Sequence, residues 1–250
     1  MQLKAFTNNS KTVLSIDFDR ASTCNQICEY CYVQNLERIY PAYWDKMKRN
    51  SDWATTKPKT FAQQLNTEYT KLRNSKAKHY QRLHTLPVRM YGSGDYVPEH
   101  FKFLQALNFK FYIISKNLTP ADMHSEIDKL LELNNLTNIL LSFDNQNVLA
   151  NYEATQNYRS HSNIAYAFTG ISDDCRRWLE EGYNFDVFFT TGKTKAEQIK
   201  AQGIKAQCPC DSGLLTHNES CTHCNKCWRS NKTRGKAWNN LKQNELLTIS

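Results

Sequence analysis

Cys24, Cys28 and Cys31 stand in the run Cys-Asn-Gln-Ile-Cys-Glu-Tyr-Cys-Tyr, a C-x3-C-x2-C spacing directly after the strand-like segment Thr12 to Phe18. Three thiolates this close in sequence can hold three corners of an iron–sulfur cube and leave the fourth iron without a protein ligand. An iron left open in that way can bind and activate a small molecule. A structural metal site instead closes its fourth position with protein, and the same spacing admits a zinc ion that borrows a distant fourth ligand.

A second group of thiols lies near the other end of the chain. Cys208-Pro-Cys210 and Cys221-Thr-His-Cys224-Asn-Lys-Cys227-Trp228 put five thiols and His223 within 20 residues. Cys208, Cys221, Cys224 and Cys227 suffice for tetrahedral zinc or for a second 4Fe-4S cluster, with Cys210 as a possible substitute ligand. The remaining cysteine, Cys175, sits in a helix-like stretch beside Arg176 and Arg177 and reads as a packing residue. Eight of the nine cysteines fall in two tight groups rather than being scattered, which indicates metal more than a disulfide framework.

The elements that must position these groups alternate. Strand-like runs cover Thr12 to Phe18, Pro87 to Tyr91, Phe109 to Ser115, Asn138 to Phe143, Asn163 to Phe168 and Phe185 to Thr190. Helix-like stretches lie between them: Pro98 to Leu107, a segment from about Thr119, Asp173 to Glu181 ending at Gly182, and Lys195 to Ala201. Strands alternating with helices imply parallel βαβ units. Six such strands give an α/β fold, a partial (β/α)6 TIM-like barrel whose chemistry belongs at the C-terminal ends of the strands. The barrel is expected over 1–205, with 33–60 as an inserted aromatic and basic loop region. A cysteine-rich, metal-binding extension with a basic C-terminus follows over 206–250.

With the triad and this alternation in hand, the chain resembles the radical S-adenosylmethionine superfamily, over roughly residues 12 to 205. The resemblance rests on Cys24, Cys28 and Cys31 with Tyr30 immediately before the last cysteine. It implies a 4Fe-4S cluster whose open iron chelates S-adenosylmethionine, and reductive cleavage of the sulfonium to a 5′-deoxyadenosyl radical. By the same resemblance Ser93, Gly94 and Asp95 occupy the place of a Gly-Gly-Glu motif along the methionine amino group, with Ser for the first Gly and Asp for Glu. Ser115 and Lys116 are expected near the ribose or the methionine carboxylate, Ser142 and Asp144 near the ribose, and Tyr30 and Tyr32 against the adenine. Read without the family, these polar residues equally suit turns and solvated loops. Asp17 and Asp19 suit either substrate contact or helix capping. The tail is similar to that of small phage-encoded members of the superfamily.

Composition bounds the partners. The chain has 250 residues, 40% hydrophobic, and a mean hydropathy of -0.68, with no apolar run of membrane length. The expectation is a cytoplasmic monomer (in the host cytoplasm if phage-encoded) that meets no membrane and takes electrons from a one-electron donor such as flavodoxin or ferredoxin. A net charge of +8 suits an anionic partner. The aromatic and basic residues of 33–60, with the basic tail from Lys226 to Lys242, suit a nucleotide, a DNA base or a nucleic acid as substrate. A peptide-modifying enzyme with an auxiliary cluster is the alternative within the superfamily. A non-catalytic, zinc-stabilised nucleic-acid-binding protein is the alternative outside it.

Overall fold

A computed structural model describes residues 4–9, 12–25, 28, 30–31, 33–192, 194–201, 204, 207–208 and 227. The architecture is mixed α/β, and the chain divides into two compact units: Met1–Leu118 with Asp122–Leu136, and Thr119–Ala121 with Thr137–Ser250. Within each unit the strands lie in sequence order.

The first unit opens with β1 (Phe6–Asn9) and β2 (Val13–Ile16), antiparallel in the register Phe6↔Ile16. Asn9 Oδ1 accepts the Thr12 N–H at 3.0 Å and so closes the turn between them. After β2 come α1 (Arg20–Thr23), α2 (Val33–Ile39), α3 (Pro41–Thr56), α4 (Pro58–Arg73) and α5 (Lys78–Gln81). Then follow β3 (Val88–Met90), α6 (Phe101–Gln105), β4 (Phe111–Ser115) and α7 (His124–Leu131). β2, β3 and β4 pair in parallel, with Ser15↔Arg89 and Val88↔Phe111 among the partners.

Two features of this unit correct the sequence expectation. β1 adds a strand before the six expected, and it is antiparallel. The segment 33–60 is not a loop: α2, α3 and the start of α4 occupy it. Pro41 and Pro58 each stand in the first turn of a helix, where the missing N–H costs nothing. Met47, Asn50, Ser51 and Ala54 recur at helical spacing and form the buried stripe of α3. That stripe is tied to the first strands, since Asn50 Nδ2 donates to Ala5 O (3.2 Å) and Asp17 O (3.0 Å). Several of the cations and aromatics here pair with one another along the helix. Lys48 Nζ lies 3.6 Å from the Trp44 ring centroid and Lys57 Nζ 5.9 Å from that of Trp53.

Phe61 and Leu65 of α4, Phe103 of α6, Phe18 and Tyr91 form the core of this unit and are almost fully buried. Each such side chain contributes about 2–3 kcal/mol by leaving water. Phe18 packs on His100 with ring centroids 4.7 Å apart, and Phe61 meets Phe103 edge-on at 5.3 Å.

The second unit carries β5 (Leu136–Phe143), α8 (Val148–Asn151), β6 (Ile164–Gly170), α9 (Ser172–Glu180), β7 (Val187–Thr190) and α10 (Lys195–Ala201). Its strands are all parallel, with Phe143↔Phe168 and Phe168↔Phe188 in register. Buried Phe143, Tyr166, Phe168 and Phe188 fill it. α9 ends at Gly182, as its sequence predicts, with the Tyr183 N–H donating to Trp178 O at 2.9 Å. Among the described residues no helix is long and apolar enough to cross a membrane.

Candidate metal and cofactor site

The loop that carries Cys24, Cys28 and Cys31 leaves the sheet at the C-terminal end of β2. Asp19 caps α1 by accepting the Ala21 N–H at 3.4 Å, and the Cys24 N–H closes that short helix on Arg20 O at 2.9 Å. Further on, the Cys31 N–H bonds to Cys28 O at 3.0 Å. Arg20 and Glu37, at the two ends of this stretch, form an ion pair at 3.1 Å. The three thiols are all partly exposed. Burial, then the Asp95 carboxylate and the other two thiols, pushes the Cys24 thiol up to about 12. Among the described residues no three His, Cys, Asp or Glu side chains already converge on one metal position. The donor set nonetheless suits a cluster chemically: three thiols on one loop, at a strand end, with a cation beside one of them.

The next strand end supplies a close-fitting turn. After β3 the backbone runs through Tyr91 (φ 59) to Gly94 (φ 75), both left-handed. A Cβ on Gly92 would lie 2.1 Å from Asp17 Oδ1, and one on Gly94 would lie 2.7 Å from Thr23 Oγ1 and 2.9 Å from Phe18 O. Glycine is therefore what lets this turn lie on the end of β2. Asp17 Oδ1 accepts the Ser93 N–H at 3.1 Å, while the buried Asp17 Oδ2 has no hydrogen-bond partner among the described residues. Ser93 Oγ shares a hydrogen bond with Tyr43 OH (3.3 Å) and donates to Met47 Sδ (2.8 Å), both on α3.

Asp95 joins the two loops to the end of β4. Its carboxylate accepts N–H groups from Tyr96 (2.7 Å), Lys116 (2.9 Å) and Asn117 (3.3 Å), with Ser115 as a further partner. A carboxylate has about four acceptor positions, so the fold itself uses most of those on Asp95. Burial raises this carboxyl to about 6 in spite of these hydrogen bonds. Ser115 Oγ also accepts the Leu118 N–H at 3.1 Å. Lys116 Nζ donates to Cys28 Sγ at 3.0 Å and lies 4.7 Å from the Tyr30 ring centroid. The first unit thus gathers Cys24, Cys28, Cys31, Tyr30, Ser93, Gly94, Asp95, Ser115 and Lys116 at the ends of three adjacent parallel strands. Asn117, which the sequence reading overlooked, is bonded into the same place. Only its position just past the end of a strand-like run could have drawn notice.

Ser142 and Asp144 belong to the second unit, at the end of β5. Asp144 Oδ1 accepts the Gln146 (3.0 Å) and Asn147 (3.3 Å) N–H groups, and Asn147 Nδ2 donates to Ser142 O (3.1 Å). These bonds build the turn into α8. Cys175 is fully buried, as a packing residue should be.

Of the C-terminal cysteines expected to bind metal, Cys210, Cys221 and Cys224 lie outside the described residues, as does Tyr32. The Cys208 N–H bonds to Phe188 O at 2.9 Å, and Cys227 O accepts from Asn138 Nδ2, also at 2.9 Å. Phe188 is level with Phe143, five positions beyond Asn138 on β5.

No curated protein and no solved structure matches the chain. The model of one family, described as Gene product 88, matches residues 4–230, and the chain belongs to that family.

Proposed function

We propose that this chain is a radical S-adenosylmethionine enzyme whose reductive centre is held by Cys24, Cys28 and Cys31 on a partial barrel of parallel strands. The observation that carries the reading is the C-x3-C-x2-C loop at a strand end, facing a glycine turn and a lysine from the next two parallel strands. When bound, a 4Fe-4S cluster and S-adenosylmethionine would supply one-electron cleavage of the sulfonium and a 5′-deoxyadenosyl radical able to take hydrogen from an unreactive carbon.

The chain's own residues have separate tasks in this reading. The three thiols hold the cluster and leave one coordination position to a small molecule. Lys116 brings a positive charge to Cys28 Sγ, where negative charge would gather, and the same ammonium lies over the Tyr30 ring. Asp95 holds the backbone of Lys116 and Asn117 in place. The tight turn at Gly92 and Gly94 lies against the end of β2 and against Thr23, the residue before Cys24, and in this reading it would face the methionine amino group. Electrons come from a donor such as flavodoxin or ferredoxin. The substrate class most in keeping with a charge of +8 is a nucleotide or a DNA base. The C-terminal cysteines are read as a second metal site, iron–sulfur or zinc.

Anaerobic reconstitution with iron and sulfide, followed by S-adenosylmethionine and dithionite, tests the reading. A brown protein that releases 5′-deoxyadenosine is expected, and Cys28→Ala should lose both colour and product. An intact four-iron cluster that yields no 5′-deoxyadenosine would overturn it. A colourless chain holding only zinc, with salt-dependent affinity for DNA, would establish the binding-protein alternative.

A further inference from the structure

The peptide groups on both sides of Cys24 are held by one side chain. Asn117 Nδ2 donates to Thr23 O at 2.6 Å and to Tyr96 O at 2.8 Å, and Asn117 Oδ1 accepts the Asn25 N–H at 3.2 Å. An amide side chain can make four hydrogen bonds, and here three run to backbone groups of two other loops. Asn117 is only 3% exposed. Its backbone is fixed as well, because its N–H donates to Asp95 Oδ2 at 3.3 Å. The Asp95 N–H in turn donates to Thr23 Oγ1 at 3.1 Å, a second tie to the residue before Cys24.

The side-chain type follows from the partners. Two carbonyls need donors and one N–H needs an acceptor, so only a carboxamide serves all three. Aspartate would set a charged oxygen against two carbonyls, and glutamine would push an extra methylene into a closed space.

We propose that Asn117 is the positioning residue of the cysteine loop, fixing where Cys24 stands relative to the ends of β3 and β4. Its bearing on chemistry rests on reading Cys24 as a cluster ligand. Its bearing on the loop does not, and the test separates the two.

The full chain, metal-free and reduced, is treated with iodoacetamide, and labelling rates at Cys24 and Cys175 are followed by peptide mass spectrometry. Asn117→Ala should speed labelling of Cys24 about tenfold, the scale of one or two lost buried hydrogen bonds. Buried Cys175 should stay protected. After reconstitution the same variant should hold less iron, and the electron paramagnetic resonance spectrum of its reduced cluster should shift, which a purely structural residue would not cause. An unchanged Cys24 rate overturns the proposal. If Cys175 labels as fast as Cys24, the chain has opened as a whole, and Asn117→Asp decides by the same comparison. That variant keeps the acceptor for Asn25 and loses both donors. Faster labelling confined to Cys24 supports the proposal, and equal labelling at both cysteines overturns it. If the native chain takes up no four-iron cluster while Asn117→Ala still frees Cys24, the enzymatic reading falls and the positioning role stands.

Discussion

His100 and Asp95 lie close in sequence, are both buried, and respond to pH in opposite senses. Burial pulls the His100 imidazole down to about 3, below its ordinary 6.5. The unfolded chain therefore binds the extra proton between those values, and the stability that neutral His100 provides is lost as pH falls below 6.5. The loss is about 1.4 kcal/mol per pH unit. Asp95 is raised to about 6 from 3.8, so the folded chain holds its proton more tightly. Its contribution is complete below pH 3.8 and is lost as pH rises through 6. Urea unfolding between pH 7 and 4 should show a shallower acid loss in His100→Leu and a steeper one in Asp95→Asn. At this scale the sequence was legible where residue type alone draws notice, as with the three cysteines that follow β2. It was silent at Asn117, because an asparagine after a strand reads as ordinary loop polarity until its three backbone partners are known. Nor does it show that the Asp95 carboxylate accepts N–H groups from Tyr96, Lys116 and Asn117, which join its own turn to the end of β4.

Among the elements, the turn after β3 carries the most local constraint. Gly94→Ala would put a methyl group in a left-handed conformation and within 2.9 Å of Phe18 O, a backbone atom that cannot swing aside. The expected cost is roughly 2–3 kcal/mol, seen as a lower urea midpoint with an unchanged slope. Gly92→Ala should cost as much, since Asp17 Oδ1 lies 2.1 Å from the added carbon. The parallel strands were legible because they are short apolar runs bounded by turn residues, and α10 was bounded correctly. β1 escaped because Phe-Thr-Asn-Asn has one apolar residue and its order comes from pairing with β2. α3 escaped because its aromatic and basic residues drew attention to composition, while the period of Met47, Asn50 and Ala54 marks a helix.

At the scale of the whole molecule, charge is the property that acts at a distance. If a single-stranded nucleic acid is the substrate and four of its phosphates are met, affinity should fall about fifty-fold between 50 and 200 mM salt. Fluorescence anisotropy with a labelled oligonucleotide would read this, and a salt-independent affinity would remove nucleic acid from consideration. The α/β class and the strand-end placement of the cysteines were legible from alternation alone. The division into two units was not, because it depends on which contacts gather on either side of Thr119–Ala121. The distance in sequence between Cys24 and its clasp has a temporal meaning as well. Asn25 and Asn117 are 92 residues apart, so the ribosome delivers the thiols long before the side chain that fixes them. At ordinary elongation rates that interval is roughly 5–20 seconds. During it the nascent loop lacks the Asn117 bonds, and if the three thiols do hold a metal cluster, that is when a metal carrier would find the sulfurs easiest to reach.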